Sequence, residues 1–274
     1  MKFGCCGNLV AKGPDKTGIE IVERIAAYGY DYIELPLAEM MDLSEGEFEE
    51  LRQRVEASGI SCQACNNLFP AGLRLTGPKA DMKAISDYAG RALSRAERLG
   101  VDTVVFGSGT AKNVPDGFPY EQAYRQVAEI TRMLAPLGEE HGITIVIEPI
   151  RKPECNIINT FAEGTALARE IDHPNIRVLA DYYHMAWEKE TLEALRLYGG
   201  RYLRHVHFAN PNLGSAQGLR MGRIYPKSIS EWDYEEFMDV LKEIGYDGRI
   251  SIEAGAEDFD SQAKDAIQFM RTYF

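Results

Sequence analysis

No apolar run in the 274 residues approaches the roughly 18 that a membrane-spanning helix needs. The opening residues, MKFGCCGNLV, contain no apolar core of signal-peptide length. A bilayer span is therefore not expected, and a cytoplasmic location is. Cysteine is sparse and odd in number: Cys5, Cys6, Cys62, Cys65 and Cys155. None of these spacings is that of a zinc knuckle. The single C-x-x-C, Cys62 to Cys65, falls in a strand-like run and not at the helix start that activates a redox thiol, so reduced thiols are expected. Basic residues are outnumbered, 30 Lys and Arg against 42 Asp and Glu, for a formal net charge of −12. Such a field repels polyanions, which argues against nucleic acid and for a small neutral substrate or a cation. A Gly-rich dinucleotide turn is also missing, because GCCGNLVAKG does not supply G-x-G-x-x-G after the first strand.

What is present is a repeated alternation of short β-rich runs with segments of helical period. The strand signals are KFGCCG, DYIELPL, SCQACNNLFP, DTVVFGSG, ITIVIEPI, IRVLADYYHM, LRHVHFAN and RISIEAG. Helical stripes follow them, such as Ile19, Val22 and Ile25, or Phe48, Leu51 and Val55. Asn159 or Thr160 is placed to cap the fifth helix. Ser108 to Pro119 reads as a loop, and Pro136 should kink or interrupt the last turns of the helix that follows. Eight βα units without a composition shift predict an α/β fold: one (β/α)8 TIM barrel domain over residues 1–274. In such barrels the catalytic residues come from the C-terminal ends of the strands.

Buried strands should be apolar, and these are, except at those ends. The fifth closes on Glu148, the sixth on Asp181, the seventh on His207 and the eighth on Glu253. Any one of them reads as an ordinary junction residue, but four consecutive strands ending in metal-ligand types read as a site. Neighbouring strands lie about 4.8 Å apart, so their ends can converge on one ion. Three carboxylates together raise one another's pKa, and a divalent cation removes that conflict. Oxygen and imidazole donors favour Mn²⁺, Co²⁺ or Mg²⁺ over thiolate-type zinc sites. An ion holding a carbonyl and a neighbouring hydroxyl of a sugar polarises the carbonyl and stabilises an enediolate, with Glu148 and Glu253 available for proton transfer. In RHVHFAN, His205 and His207 share one face of the strand, His205 one pleat deeper and suited to support. Glu34, in IELP, is the one carboxylate among the first strand ends; a structural role, holding a neighbouring side chain or His205, is favoured over a catalytic one.

The segments VIEPI, LADYYHM, HVHFAN and SIEAG occur in an order and spacing that resembles the xylose-isomerase-like barrel superfamily. The resemblance is to its sugar phosphate isomerase/epimerase group, which includes the ketose 3-epimerases. It implies a metal site of Glu148, Asp181, His207 and Glu253, with Mn²⁺ the first expectation, and Glu148 and Glu253 as the acid/base pair. It also implies a small-molecule carbohydrate substrate whose oxygens meet Glu154 and His184, and a homo-oligomer. One position departs from the family's pattern: the arginine expected six residues after His207 is replaced by Leu213. Arg220 and Arg223, later in the same loop, are the candidates to reach back to the substrate, and with Lys227 they can also meet a phosphate or carboxylate. The sugar and its phosphorylation therefore stay open.

A metal-dependent lyase or dehydratase begins with the same deprotonation, so the sequence does not separate it from an epimerase or isomerase. An endonuclease-type phosphodiesterase on this scaffold needs a multi-zinc cluster with more histidines than the five here. A non-catalytic sugar-binding subunit has little need of all four ligands.

Overall fold

The computed structural model describes residues 1–212 and 222–274. Eight strands, β1 (Lys2–Cys6), β2 (Tyr32–Pro36), β3 (Ser61–Asn66), β4 (Thr103–Phe106), β5 (Thr144–Ile147), β6 (Ile176–Asp181), β7 (Leu203–Phe208) and β8 (Arg249–Ile252), close into a barrel in sequence order. Every neighbouring pair is parallel, including β8 with β1. Closure leaves no unpaired sheet edge. This is the (β/α)8 TIM barrel that the alternation predicts.

Helices α1 (Val22–Tyr28), α2 (Leu37–Met41), α3 (Glu45–Ala57), α4 (Met82–Arg98), α5 (Gly109–Lys112), α6 (Tyr120–Glu140), α7 (Phe161–Ile171), α8 (Tyr182–Glu188), α9 (Glu193–Tyr202), α10 (Glu235–Glu243) and α11 (Phe259–Tyr273) surround it. Local chemistry sets several ends. Ser44 with Glu47, and Thr160 with Glu163, form reciprocal caps on α3 and α7, each worth about 1 kcal/mol. Thr160 is thus the cap of α7, while the Asn159 amide donates to the carbonyls of Ile150 and Cys155. Among the described residues no helix is long and apolar enough to cross a membrane.

Two local expectations are corrected, and at Pro136 the interruption, one of the two outcomes expected there, does not occur. Helix α6 runs through Pro136 to Glu140 without interruption; the proline forfeits a bond only in the last turns, where buried Leu134, Ala135 and Gly138 hold the helix on the barrel. The YYHM segment is not strand but the start of α8, because the Asp181 side chain accepts from the backbone N–H of Tyr183 and His184 and starts a helix at once. The loop after β4 contains the short α5.

Inside the barrel, strand alternation stacks side chains in layers two residues apart. Val105, Val146 and Leu179 form an interior cluster separate from the apolar layer between sheet and helices. Two residues nearer the mouth on the same strands stand Gly107, Glu148 and Asp181. His205 and Ser251 stand beneath His207 and Glu253 in the same way. Tyr32 crosses the interior at the level of Ser251, meeting its hydroxyl at 2.7 Å. Gly4 makes room for it: a Cβ there would lie 2.3 Å from the Tyr32 ring. All five cysteines are free and buried, and burial pushes the Cys65 thiol well up, so the C-x-x-C pair is core filling.

Candidate active site

Register brings the strand ends together. Asp181 pairs directly with His207 across β6 and β7, and Ser251 of β8 pairs with His207, so that Glu253 stands two residues further toward the mouth. One ligand atom each from Glu148, Asp181, His207 and Glu253 lies within 4.8 Å of the other three. His207 Nδ1 is 3.2 Å from Glu148 Oε1 and 3.5 Å from Glu253 Oε2. All four are buried, and Asp181 Oδ2 accepts no hydrogen bond, its charge being met by the Arg223 guanidinium at 3.3 Å. Burial pushes Asp181 up, with Arg223 and His207 pulling it down and Glu148 adding to the rise. Three buried carboxylates around one imidazole are a donor set that a hard divalent cation fits.

The floor beneath fixes His207. Its Nε2–H donates to Glu34 Oε1 at 2.8 Å, leaving Nδ1 facing the cluster. His205 Nε2–H donates to Glu34 Oε2 at 2.8 Å, and Ser251 Oγ donates to the same oxygen at 2.5 Å. Burial alone would raise Glu34, but His207 and His205 hold it well below the usual carboxylate range. A carboxylate behind a ligating imidazole is the arrangement that sets tautomer and ring orientation in metal sites. Glu34 therefore takes the structural role, for both histidines. Cys6, Glu34 and His207 also lie close enough to share an ion. Burial and the Glu34 charge push the Cys6 thiol up.

Above the cluster is a cavity of about 360 Å³, lined by Glu148, Glu154, His184, Arg223 and Glu253. That size suits one small polar molecule. Five of the eight candidate site residues thus face one space, and Asp181 and His207 close its base. Arg220 lies outside the described residues. Arg223 does reach back: an antiparallel bridge between Asn210 and Ile224, and a bond from Gly255 N to Arg223 O, hold its backbone at the mouth. Its guanidinium pairs with Glu253 and with Asp181, and donates to His184 Nε2 at 2.7 Å. It also stacks over Tyr183 at 4.6 Å. Burial, Arg223 and Arg151 together push His184 well below its ordinary value, so it is neutral. Glu154 pairs with Arg151, which lies 4.2 Å over the Trp187 ring.

Some contributors carry no catalytic signature in sequence. Asn8 and Asn66 donate to Glu253 Oε1 at 3.3 and 3.4 Å. Buried Lys112 donates to the Glu148 carbonyl at 3.3 Å. A Cβ on Gly107 would lie 2.0 Å from Glu148 Oε2, so this glycine is the space the carboxylate occupies. The only signal for it is a glycine directly after an apolar strand.

A model of the xylose isomerase-like TIM barrel family matches residues 22–273. The chain belongs to that family. A ketose 3-epimerase of Arthrobacter globiformis is 26% identical over 257 residues, covering 93% of this chain and 83% of the relative. Other relatives are likewise named sugar epimerases and isomerases. Among solved structures, a D-psicose 3-epimerase with D-tagatose from Clostridium cellulolyticum H10 superposes with a TM-score of 0.80 at 21% identity, covering 100% of this chain and 99% of that one. The IOLI protein, solved with a zinc atom, superposes with a TM-score of 0.74 at 20% identity, covering 100% and 99%. At these identities the superpositions speak for the fold, and members of this family share the barrel found here.

Proposed function

We propose that the protein is a divalent-metal-dependent sugar epimerase or isomerase that moves a proton at the carbon beside a carbonyl. The observation that carries this is the convergence of four ligand atoms within 4.8 Å at the base of a cavity flanked by Glu148 and Glu253. The curated relatives, sugar epimerases and isomerases across most of the chain, support the same reading. Glu148, Asp181, His207 and Glu253 would hold the ion, with Mn²⁺ expected from their hard donors. When bound, the ion supplies positive charge beside the substrate carbonyl and so acidifies the neighbouring C–H.

The protein side chains do the rest. Glu148 and Glu253 rise from β5 and β8 on either side of His207, so a carbon between them is exposed to a carboxylate on each face. One takes the proton, the other returns one to the opposite face, and the configuration inverts. Arg223 and neutral His184 offer hydrogen bonds to the substrate oxygens, and Glu154, clamped by Arg151, accepts from a hydroxyl. Asn8 and Asn66 orient Glu253 through Oε1.

The test is deuterium incorporation beside the carbonyl of ketoses incubated in D₂O with the Mn²⁺-loaded protein. Exchange across at least one ketose is expected, and none across a broad panel would sink the reading. Release of a conjugated carbonyl product, seen by ultraviolet absorbance, would move it to a lyase. Metal analysis of the Glu148→Ala/His207→Ala double variant should find little bound metal, whereas a stoichiometric ion would disprove the proposed ligand set.

A further inference from the structure

The cavity over Glu148 and Glu253 does not stand alone. A second, larger cavity of about 650 Å³ abuts it, and the two share Asn67, Ser108, Gly109 and Thr110 as lining. The inner space lies at the lower end of the about 300–1,000 Å³ found for small-molecule sites, and the two together reach its upper end. Asn66 Oδ1 and His184 Nδ1, buried and without hydrogen-bond partners, belong to residues lining the inner cavity. One sugar ring therefore leaves the outer space unused.

The boundary between the cavities is held deliberately. Asn67 and Ser108 both adopt the left-handed backbone conformation, φ 58° and 44°, which asparagine visits readily and serine seldom. Asn67 Nδ2 donates to both oxygens of Glu39 at 3.1 Å, and its carbonyl accepts from Ala38 N at 2.9 Å. Ser108 Oγ accepts from Phe69 N at 2.9 Å. Glu39 thereby stands fixed in the outer wall with acceptor capacity left over, since a carboxylate has about four acceptor sites. Asp15, anchored by Thr17 N and Oγ1 at 2.9 and 3.1 Å, and Asp42 line the same cavity, with Lys16 as its one cation among the lining residues. Such a wall accepts hydrogen bonds from hydroxyls and repels phosphate.

We propose that the substrate is a keto-sugar bearing a second hydroxyl-rich unit, a glycosylated and unphosphorylated ketose, with the reacting sugar in the inner cavity and the second unit in the outer one. This rests on the epimerase reading above and names its substrate class. The sequence alone left phosphorylation open; the acidic outer wall decides against it.

Deuterium exchange by the Mn²⁺-loaded protein is compared for D-fructose, D-fructose 6-phosphate, and isomaltulose and maltulose, which carry glucose on O6 and O4 of fructose. At least one disaccharide is expected to exceed D-fructose in kcat/KM by about tenfold, the yield of one or two added hydrogen bonds to charged acceptors, and the phosphate to fall below it. Ala71→Trp, which fills the outer cavity from its exposed rim, should bring the disaccharide-to-fructose ratio near one. Asp42→Lys, at another exposed position, should lower that ratio and raise the phosphate-to-fructose ratio. Disaccharides no better than D-fructose, an unchanged ratio in Ala71→Trp, or a preference for the phosphate each overturn the extended subsite while fructose exchange leaves the epimerase reading standing. No exchange with any of the four sugars overturns both.

Discussion

At the mouth of the barrel, β5 to β8 deliver Glu148, Asp181, His207 and Glu253, whereas β1 to β4 deliver Gly7 and Asn8, Asn66 and Asn67, and Gly107 and Ser108. Around the inner cavity one half carries the charge and the other carries space and neutral donors, while the carboxylates of the first half, Asp15, Glu39 and Asp42, stand in the outer cavity. The division has an electrostatic cause, because each further carboxylate brought into the same low-dielectric space would raise the pKa of the rest. The neutral half instead relieves the charged one. Asn8 and Asn66 donate to Glu253, and Gly107 leaves the volume that Glu148 fills. Glu34 on β2 is the exception, and it sits one layer deeper, balanced by two imidazoles.

The comparison breaks most severely on the charged side. Glu253→Gln should lower the rate of deuterium exchange by about 10³-fold, within the range for loss of a general acid–base group, with an unchanged circular dichroism spectrum. An equally active variant would show that β8 does not supply a proton-transfer group. On the neutral side, Gly107→Ala should cost about 100-fold in kcat, because a displacement near 1 Å of a reacting group has that effect. Its melting temperature should barely move, since the displaced atom is the flexible end of Glu148. A large loss of stability with normal kcat would make Gly107 a backbone requirement instead.

Glu34→Gln tests the exception. It keeps the shape but removes the charge behind His207, and metal affinity measured against a competing chelator should fall about 10- to 100-fold. The smallest effect on the site is expected from Glu190, which donates nothing to the cavity and accepts from Phe161 N at 2.8 Å. Burial raises its pKa from an ordinary 4.5 to about 7. The folded state then holds a proton the unfolded chain releases, so stability is lost as pH rises from about 4.5 through 7. Glu190→Gln should be more stable than the parent by about 1–3 kcal/mol at pH 8 and equal to it at pH 4, by chemical denaturation, with exchange activity unaltered.

Much of the site can be read from the chain because strand geometry is local. A period of two places Val146 and Glu148, or His205 and His207, on one face whatever surrounds them, and the last residue of a buried strand is the one that reaches the mouth. That is why the eight βα units, the four strand-end residues and the deeper rank of His205 follow from order and spacing alone. The reading failed where local preference and tertiary context compete. The aromatic run after Asp181 has strand propensity, yet the same carboxylate that ends β6 caps α8. Pro136 lies within a helix whose buried face outweighs one lost hydrogen bond.

By itself the sequence determined the barrel and the polar strand ends. It left Arg220 and Arg223 as equal candidates for the missing arginine; the bridge from Asn210 to Ile224 is what brings Arg223 to Glu253, Asp181 and His184. Only barrel closure joins Glu34 on β2 to two histidines on β7, seats Glu148 in the space of Gly107, and sets the outer cavity beside the inner one. These contacts link strands and loops that are remote along the chain, and no local period encodes a distance that exists only once the sheet has closed.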